Sequence, residues 1–295
     1  MSIAVITGAA TGIGRVTAET LAAAGHTVYA TMRDPGDRNA AAAAELRARA
    51  RSHDRDLHVA ELDVTSQASA DSAVERIVGE TGAIDVVVHN AGHLSIGYVE
   101  AFTDDDIAHL LDVNAIGAHR VNRAVLPHMR RRRSGTLVYV GSTILVTTPP
   151  FLGPYVASKA AFDALAVVTS YEASQFGIET SIVMPGAITQ GTQHFPNASR
   201  ATDENVAAQY AELDPLVERT HEAHERLFEP GTTADPQEVA EEIRRVLALP
   251  AGGRPFRSVV DAARAGADHV MAFSDLTREA FVRRLGFAET LELKR

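Results

Sequence analysis

"VITGAATGIGRV", residues 5–16, joins a short apolar run to the start of a helix through a turn that carries Gly8, Gly12 and Gly14. A turn of this kind offers backbone N–H groups to a phosphate, and the dipole of the following helix adds to the attraction. A phosphate-cradling P-loop needs Lys and then Ser or Thr after its last glycine. Here Arg15 and Val16 follow Gly14, so that reading fails. A dinucleotide site needs a tight turn, close backbone approach to a pyrophosphate, and close helix–strand packing. Gly8, Gly12 and Gly14 can meet those needs, although their spacing is Gly-x-x-x-Gly-x-Gly rather than Gly-x-Gly-x-x-Gly. The plainer alternative is a tight turn with no ligand.

Outward from this stretch, short Val- and Ile-rich runs alternate with longer helical patterns. Strands are expected at 3–7, 27–31, 57–61, 85–89, 136–140, 179–184 and 256–260. They show little polar alternation, as suits strands buried on both faces of a parallel sheet. Helices are expected at 13–24, 40–51, 68–80, 104–132, 155–176 and 236–249, the last opened by Asp235 as N-cap and Pro236 at the first helical position. This alternation predicts an α/β fold, a doubly wound parallel sheet of about seven strands with helices on both faces. Nothing resembling a linker divides the chain, so residues 1–295 are expected to form a single domain. Between 190 and 235 the pattern weakens into polar sequence with short helices, which reads as a substrate-binding lid inserted late in the domain. The alanines at 40–44 read as a helix surface, and the arginines at 130–133 as a solvated helix end favoured by the dipole.

Composition narrows the classes. The chain has no cysteine, which excludes thiol nucleophiles, thiolate metal sites and disulfides and fits a reducing cytosol. No metal site is expected. A net charge of −10 argues against a nucleic-acid surface. No apolar run reaches about 18 residues, so no membrane span is expected, and a cytoplasmic protein is the reading.

Two further regions carry chemistry. After the second strand, "VYATMRDP" puts Met32 and Arg33 where an adenosine ribose would lie. An acidic residue there would accept bonds from free ribose hydroxyls; Met32 cannot, whereas Arg33 can fork onto a 2′-phosphate. NADP(H) is therefore favoured over NAD(H), with Asp34 keeping NAD(H) open. Tyr155 and Lys159 are four residues apart and so share a helix face. A free tyrosine has a pKa of about 10, and a nearby ammonium favours its phenolate. Ser142 follows the strand "TLVYVGS", at the sheet edge where α/β proteins bind ligands, and can hydrogen-bond a carbonyl or alcohol oxygen. Asn114 is a polar residue in an apolar helical stretch and needs a partner for its amide.

These pieces together resemble the short-chain dehydrogenase/reductase family: "TGAATGIG" at 7–14, "LDVT" at 62–65, "HNAG" at 89–92, Asn114, Ser142, "YVASK" at 155–159 and "PG" at 185–186. The order and spacing match over roughly residues 1–190. The resemblance implies an NADP(H)-dependent alcohol dehydrogenase or carbonyl reductase acting on a small carbonyl or alcohol. Thr7, Gly8, Thr11, Gly12, Ile13 and Gly14 would form the pyrophosphate site. Asp63 and Val64 would contact adenine, and Asn90, Ala91 and Gly92 would lie against the adenosine side. Ser142 would orient the reacting oxygen and Tyr155 would carry the proton. Lys159 would hold the ribose and lower the tyrosine pKa, and Asn114 would anchor a relay water. Pro185, Gly186 and Ile188 would pack on the nicotinamide. The family often has Asn where His89 stands, and a Thr after Pro-Gly for which Gln190, Thr189 and Thr192 compete.

Phe151, Leu152 and Phe195 suggest an apolar pocket. "VYATMRDP" looks like members acting on steroids or retinoids. A non-catalytic dinucleotide sensor and an epimerase or dehydratase of the same fold are the other readings; retention of both Tyr155 and Lys159 weighs against the sensor. Apolar faces on the helices at 104–132 and 155–176 suggest a homodimer or homotetramer.

Overall fold

The computed structural model describes residues 1–294. Its strands are β1 (Ile3–Ile6), β2 (Thr27–Met32), β3 (Leu57–Glu61), β4 (Val86–His89), β5 (Gly135–Val140), β6 (Ile178–Pro185) and β7 (Arg257–Val260). All pair in parallel, in the order β3-β2-β1-β4-β5-β6-β7. The order reverses between β1 and β4, and ligands of open α/β sheets bind at such a switch point, beyond the carboxyl ends of the strands. Every residue of β4 is buried, as a central strand covered on both faces requires. The edge strand β7 is half-buried throughout.

The helices are α1 (Gly12–Ala23), α2 (Ala40–Ser52), α3 (Gln67–Thr81), α4 (Asp104–Leu111), α5 (Gly117–Arg132), α6 (Ile144–Thr147) and α7 (Gly153–Ser174), followed by α8 (Glu204–Ala208), α9 (Asp214–Glu218), α10 (Thr220–Glu225), α11 (Pro236–Ala248) and α12 (Ala267–Arg284). Leu21 of α1, Leu46 of α2 and Ile243 of α11 build one core against the sheet. Ile77 of α3, Val121 of α5 and Phe162 of α7 build the other. Asp235 caps α11 as the sequence predicts, its Oδ1 accepting from the Gln237 amide at 2.8 Å.

Two features depart from the sequence reading. The helix expected over 104–132 is interrupted at Asp112–Ile116 by a π-helical turn that contains Asn114. Helix α12 was not foreseen, because its apolar residues do not form one buried stripe: Met271 and Val282 are buried, while Phe273 and Leu276 are exposed. The segment 190–235 holds short helices, as expected: α8, α9 and α10, with a 3₁₀ turn at Ala211–Leu213. This segment is tied down by a bridge between Ser95 and Ser199 and by the Tyr98 hydroxyl, which donates to Asp214 at 2.7 Å. The arginine run ends α5 in solvent, with Arg132 paired to Asp85 at 2.7 Å.

Candidate active site

A cleft of about 1230 Å³ runs along the carboxyl edge of the sheet, from Arg33 and Arg38 at one end to Leu152, Phe195 and Leu227 at the other. The glycine turn forms its floor. Gly8 and Gly12 have φ of +67° and +56°, the left-handed region that side chains rarely enter. A Cβ on Gly8 would stand 2.8 Å from the Ala91 Cα, so the turn and the loop after β4 touch backbone to backbone. The Asn90 amide clamps this contact, donating to the carbonyls of Thr7 at 2.9 Å and Gly8 at 3.2 Å. Thr11 caps α1 without a side-chain hydrogen bond, and no acidic residue occupies the first turn. The first-turn N–H groups and the positive end of the dipole therefore face the cleft, as an anion requires.

Most of the predicted cofactor residues line this cleft: Gly8, Thr11, Gly12, Ile13, Arg33, Asp63, Val64, Asn90, Ala91, Gly92, Pro185, Gly186 and Ile188. Thr7 and Gly14 do not. Thr7 is buried beneath the turn, where its Oγ1 accepts from the amides of Asn90 and Ala91 at 2.9 and 3.0 Å. Gly14 is pressed against the back of the turn, where a Cβ would overlap Asn90 and stand 2.6 Å from the Gly8 carbonyl oxygen. Both residues shape the site from behind.

At the end of the cleft near β2, Arg33 is exposed, while Arg15 is held by ion pairs to Glu19 and Glu45. Among the described residues Arg33 has no ion pair, so its guanidinium can meet an anion, whereas that of Arg15 is taken. Arg38, which the sequence reading passed over, lies on the same wall because the loop after β2 folds back, with the Asn39 amide donating to the Arg33 carbonyl at 2.6 Å. Asp63 commits one carboxylate oxygen to the amide and hydroxyl of Thr65, at 2.9 and 2.8 Å. Of the three candidates after Pro-Gly, Thr192 reaches the cleft, its side chain 3.5 Å from the position of a Gly12 Cβ.

At the other end the structure brings Ser142, Tyr155 and Lys159 to one wall. Ser142 leaves β5 at its carboxyl end and its Oγ accepts from the Ile144 amide at 3.2 Å. Tyr155 and Lys159 are both buried on α7. The Lys159 ammonium donates to the Val140 carbonyl at 3.0 Å, and burial pulls its pKa down to about 8 against a smaller opposing pull from Asp163. Burial drives the Tyr155 hydroxyl well above the ordinary tyrosine range. Burial thus favours the protonated hydroxyl. Its partner is His194 of the 190–235 segment, with Nε2 at 3.2 Å. The sequence reading missed His194, since no motif spacing ties it to a tyrosine 39 positions earlier.

Asn114 lies behind the cleft. Its Oδ1 accepts from the His93 amide, and its Nδ2 donates to the His93 carbonyl and the Ser158 hydroxyl, each at 2.9 Å. Its side chain holds the loop after β4 against α7. His89 is fully buried, hydrogen-bonded to Asn122 at 2.8 Å and stacked on Tyr139, so it is a core residue. Leu152 and Phe195 line the cleft; Phe151 packs edge-on against Tyr98 instead.

Residues 2–203 match the short chain dehydrogenase family. The chain belongs to that family. It is an oxidoreductase with the family's Rossmann-like, NAD(P)-binding fold. It is 32% identical over 203 residues to 3-ketodihydrosphingosine reductase of Bacteroides thetaiotaomicron, covering 69% of this chain and 70% of that protein. Among solved structures, a short-chain dehydrogenase from Streptomyces avermitilis superposes with a TM-score of 0.74 at 25% identity, over 97% of both chains. An alcohol dehydrogenase from the archaeon Thermococcus sibiricus, complexed with 5-hydroxy-NADP, superposes with a TM-score of 0.68 at 25% identity over 88% of this chain and 96% of that one. Among the described residues no helix is long and apolar enough to cross a membrane, and no cluster suits a metal ion.

The crowding behind the turn yields a test. Gly14→Ala should cost about 1–3 kcal/mol of stability by overpacking. It should weaken NAD(P)H binding about tenfold or more, a factor of ten being 1.4 kcal/mol. Thermal denaturation and fluorescence titration measure the two effects, and wild-type values in both would show that Asn90 does not fix the turn.

Proposed function

We propose that the protein is an NADP(H)-dependent carbonyl reductase or alcohol dehydrogenase with Tyr155 as its acid–base. One observation carries this reading: Ser142, Tyr155 and Lys159 open onto the same cleft as the glycine turn and the helix N-terminus. A nicotinamide bound there supplies or accepts the hydride. The remaining work belongs to the chain. Ser142 Oγ donates to the carbonyl oxygen and orients it. Tyr155 gives that oxygen its proton, and the raised pKa of the buried hydroxyl suits a group that enters the reduction protonated. The Lys159 ammonium then stabilises the phenolate and reaches toward the ribose. Arg33, with Arg38 beside it, binds the 2′-phosphate through charge-assisted hydrogen bonds. The relative solved with an NADP derivative supports this cofactor.

The substrate end, with Leu152, Phe195 and Leu227, suits an apolar carbonyl compound, and segment 190–235 closes over it as a lid. We place the enzyme in the cytosol as a dimer or tetramer joined through α5 and α7. The exposed Leu165 and Val168 of α7, 43% and 52% accessible, support that interface.

The assay follows NADPH absorbance with cyclohexanone, acetophenone, octanal and phenanthrenequinone as probes. Tyr155→Phe should lower kcat by about 10²–10⁴, the worth of a positioned acid. NADPH binding should stay within about fivefold of wild type, since one hydrogen bond contributes about 1 kcal/mol. Turnover that survives would remove Tyr155 from the chemistry.

Arg33→Ala should raise the NADPH dissociation constant about tenfold to a hundredfold, as loss of a charged hydrogen bond of about 1.5–3 kcal/mol implies. The NADH constant should hardly change; equal effects on both would rule out a 2′-phosphate contact.

Lys159 carries its charge below about pH 8 and loses it above. The kcat/KM for reduction should therefore be flat below that pH and fall about tenfold per unit above it. A flat profile to pH 10, with about 99% of the ammonium titrated, would mean that the charge is not needed.

A further inference from the structure

We infer that His194 is a further catalytic residue, a second proton partner of Tyr155 that connects its hydroxyl to the lid side of the cleft. The inference rests on Tyr155 acting as the proton donor. Three observations carry it. First, the hydrogen-bond partner of the Tyr155 hydroxyl among the described residues is His194 Nε2, at 3.2 Å, with the two rings edge-to-face at 5.5 Å between centroids. Second, the side chains of Lys159 and Asn114 are otherwise engaged: Lys159 donates to the Val140 carbonyl, and the Asn114 side chain is bonded to His93 and Ser158. Third, the imidazoles of His194, His93 and His109 all line the cleft, with the His93 and His109 rings 5.5 Å apart and His109 exposed. They mark a polar wall from the buried hydroxyl to solvent.

The titratable groups around His194 favour a neutral ring. Tyr155 and Lys159 face it from α7 and His93 from the loop after β4. Its neighbour Phe195 contacts His221 and His224 of α10, with ring centroids 4.8 and 5.3 Å away. Burial, the Lys159 charge and His93 pull its pKa down to about 4, so it works as a neutral imidazole. Such a ring has one N–H and one lone pair, and it can pass a proton without holding a charge. In reduction, Tyr155 gives its proton to the substrate oxygen. The phenolate takes a proton from Nε2–H while Nδ1 takes one from water. One proton enters from solvent and one leaves on the alcohol. The imidazole changes only its tautomer, which proton exchange with water restores when the lid opens between turnovers.

The test uses the full-length enzyme with NADPH and the fastest ketone or aldehyde of the panel above. His194→Ala should lower kcat about tenfold, at the weak end of proton-transfer effects. The KM and the NADPH dissociation constant should stay within about twofold, because a lost ground-state contact would move them and a lost transition-state contact does not. Free imidazole should restore part of the lost kcat in His194→Ala and none in Tyr155→Phe. His194→Gln keeps a hydrogen bond to the hydroxyl but has no second ring nitrogen, and should lose kcat as the alanine variant does. If alanine disturbs folding, seen as lost NADPH binding, the glutamine variant decides alone. Wild-type kcat in either variant overturns the inference, as does a lowered KM with unchanged kcat, the mark of a ring that merely caps the tyrosine. A loss that imidazole leaves untouched in a well-folded alanine variant overturns it too. If Tyr155→Phe itself keeps turnover, the acid–base reading has failed instead, whatever His194 does.

Discussion

The contact between the glycine turn and the loop after β4 governs the geometry of the cleft. Parallel strands β1 and β4 bring two chain crossings to the same place, and a doubly wound sheet leaves no space there for side chains. Gly8 lets Ala91 approach to backbone distance, and Gly14 admits the Asn90 amide. That amide occupies the carbonyls of Thr7 and Gly8, each hydrogen bond contributing about 0.5–1.5 kcal/mol in net terms. With the carbonyls held behind the turn, the amides of the α1 N-terminus are left facing the cleft. The turn's capacity to hold an anion is thus a by-product of satisfying buried backbone groups.

The same economy recurs on the far wall. Asn114 lies on a π-helical turn, a local widening that often accompanies functional sites. Its amide joins the loop at His93 to Ser158, one residue before Lys159. The loop carrying Ala91 and Gly92 is therefore fixed at one end to the glycine turn and at the other to α7. The two walls of the cleft, the glycine turn on one side and α7 on the other, are joined by a single short segment, residues 89–93.

Much of this was legible in the sequence. The seven strands were readable because buried parallel strands demand unbroken Val and Ile, and "VVVH" of β4 could hardly be anything else. Tyr155 and Lys159 were readable because helical spacing alone puts them on one face. Three kinds of feature were not. The π turn at 112–116 adds a residue to one helical turn without changing the apolar pattern. Thr192 and Gln190 differ only in how the chain bends after Gly191, whose φ is +69°. His194 meets Tyr155 in a segment whose neighbours Phe195 and Val217 share an apolar cluster with Tyr155, and short helices with few buried residues leave a weak periodicity. Local propensity names elements; it does not say which distant loop will touch a hydroxyl.

The position of the segment 190–235 also bears on how the chain folds. Strand β6 ends at Pro185 and its partner β7 begins at Arg257, so the chain leaves the sheet for about seventy residues before completing it. Closing so long a detour costs little more than closing one half as long, about 0.6 kcal/mol for each doubling. The segment 190–235 can therefore vary in length at slight thermodynamic cost. Kinetically the arrangement is less forgiving, because non-local pairings form late. Until β7 docks, β6 presents an unpaired edge of N–H and C=O groups beside the apolar Ile182 and Val183, the kind of edge through which partly folded chains associate.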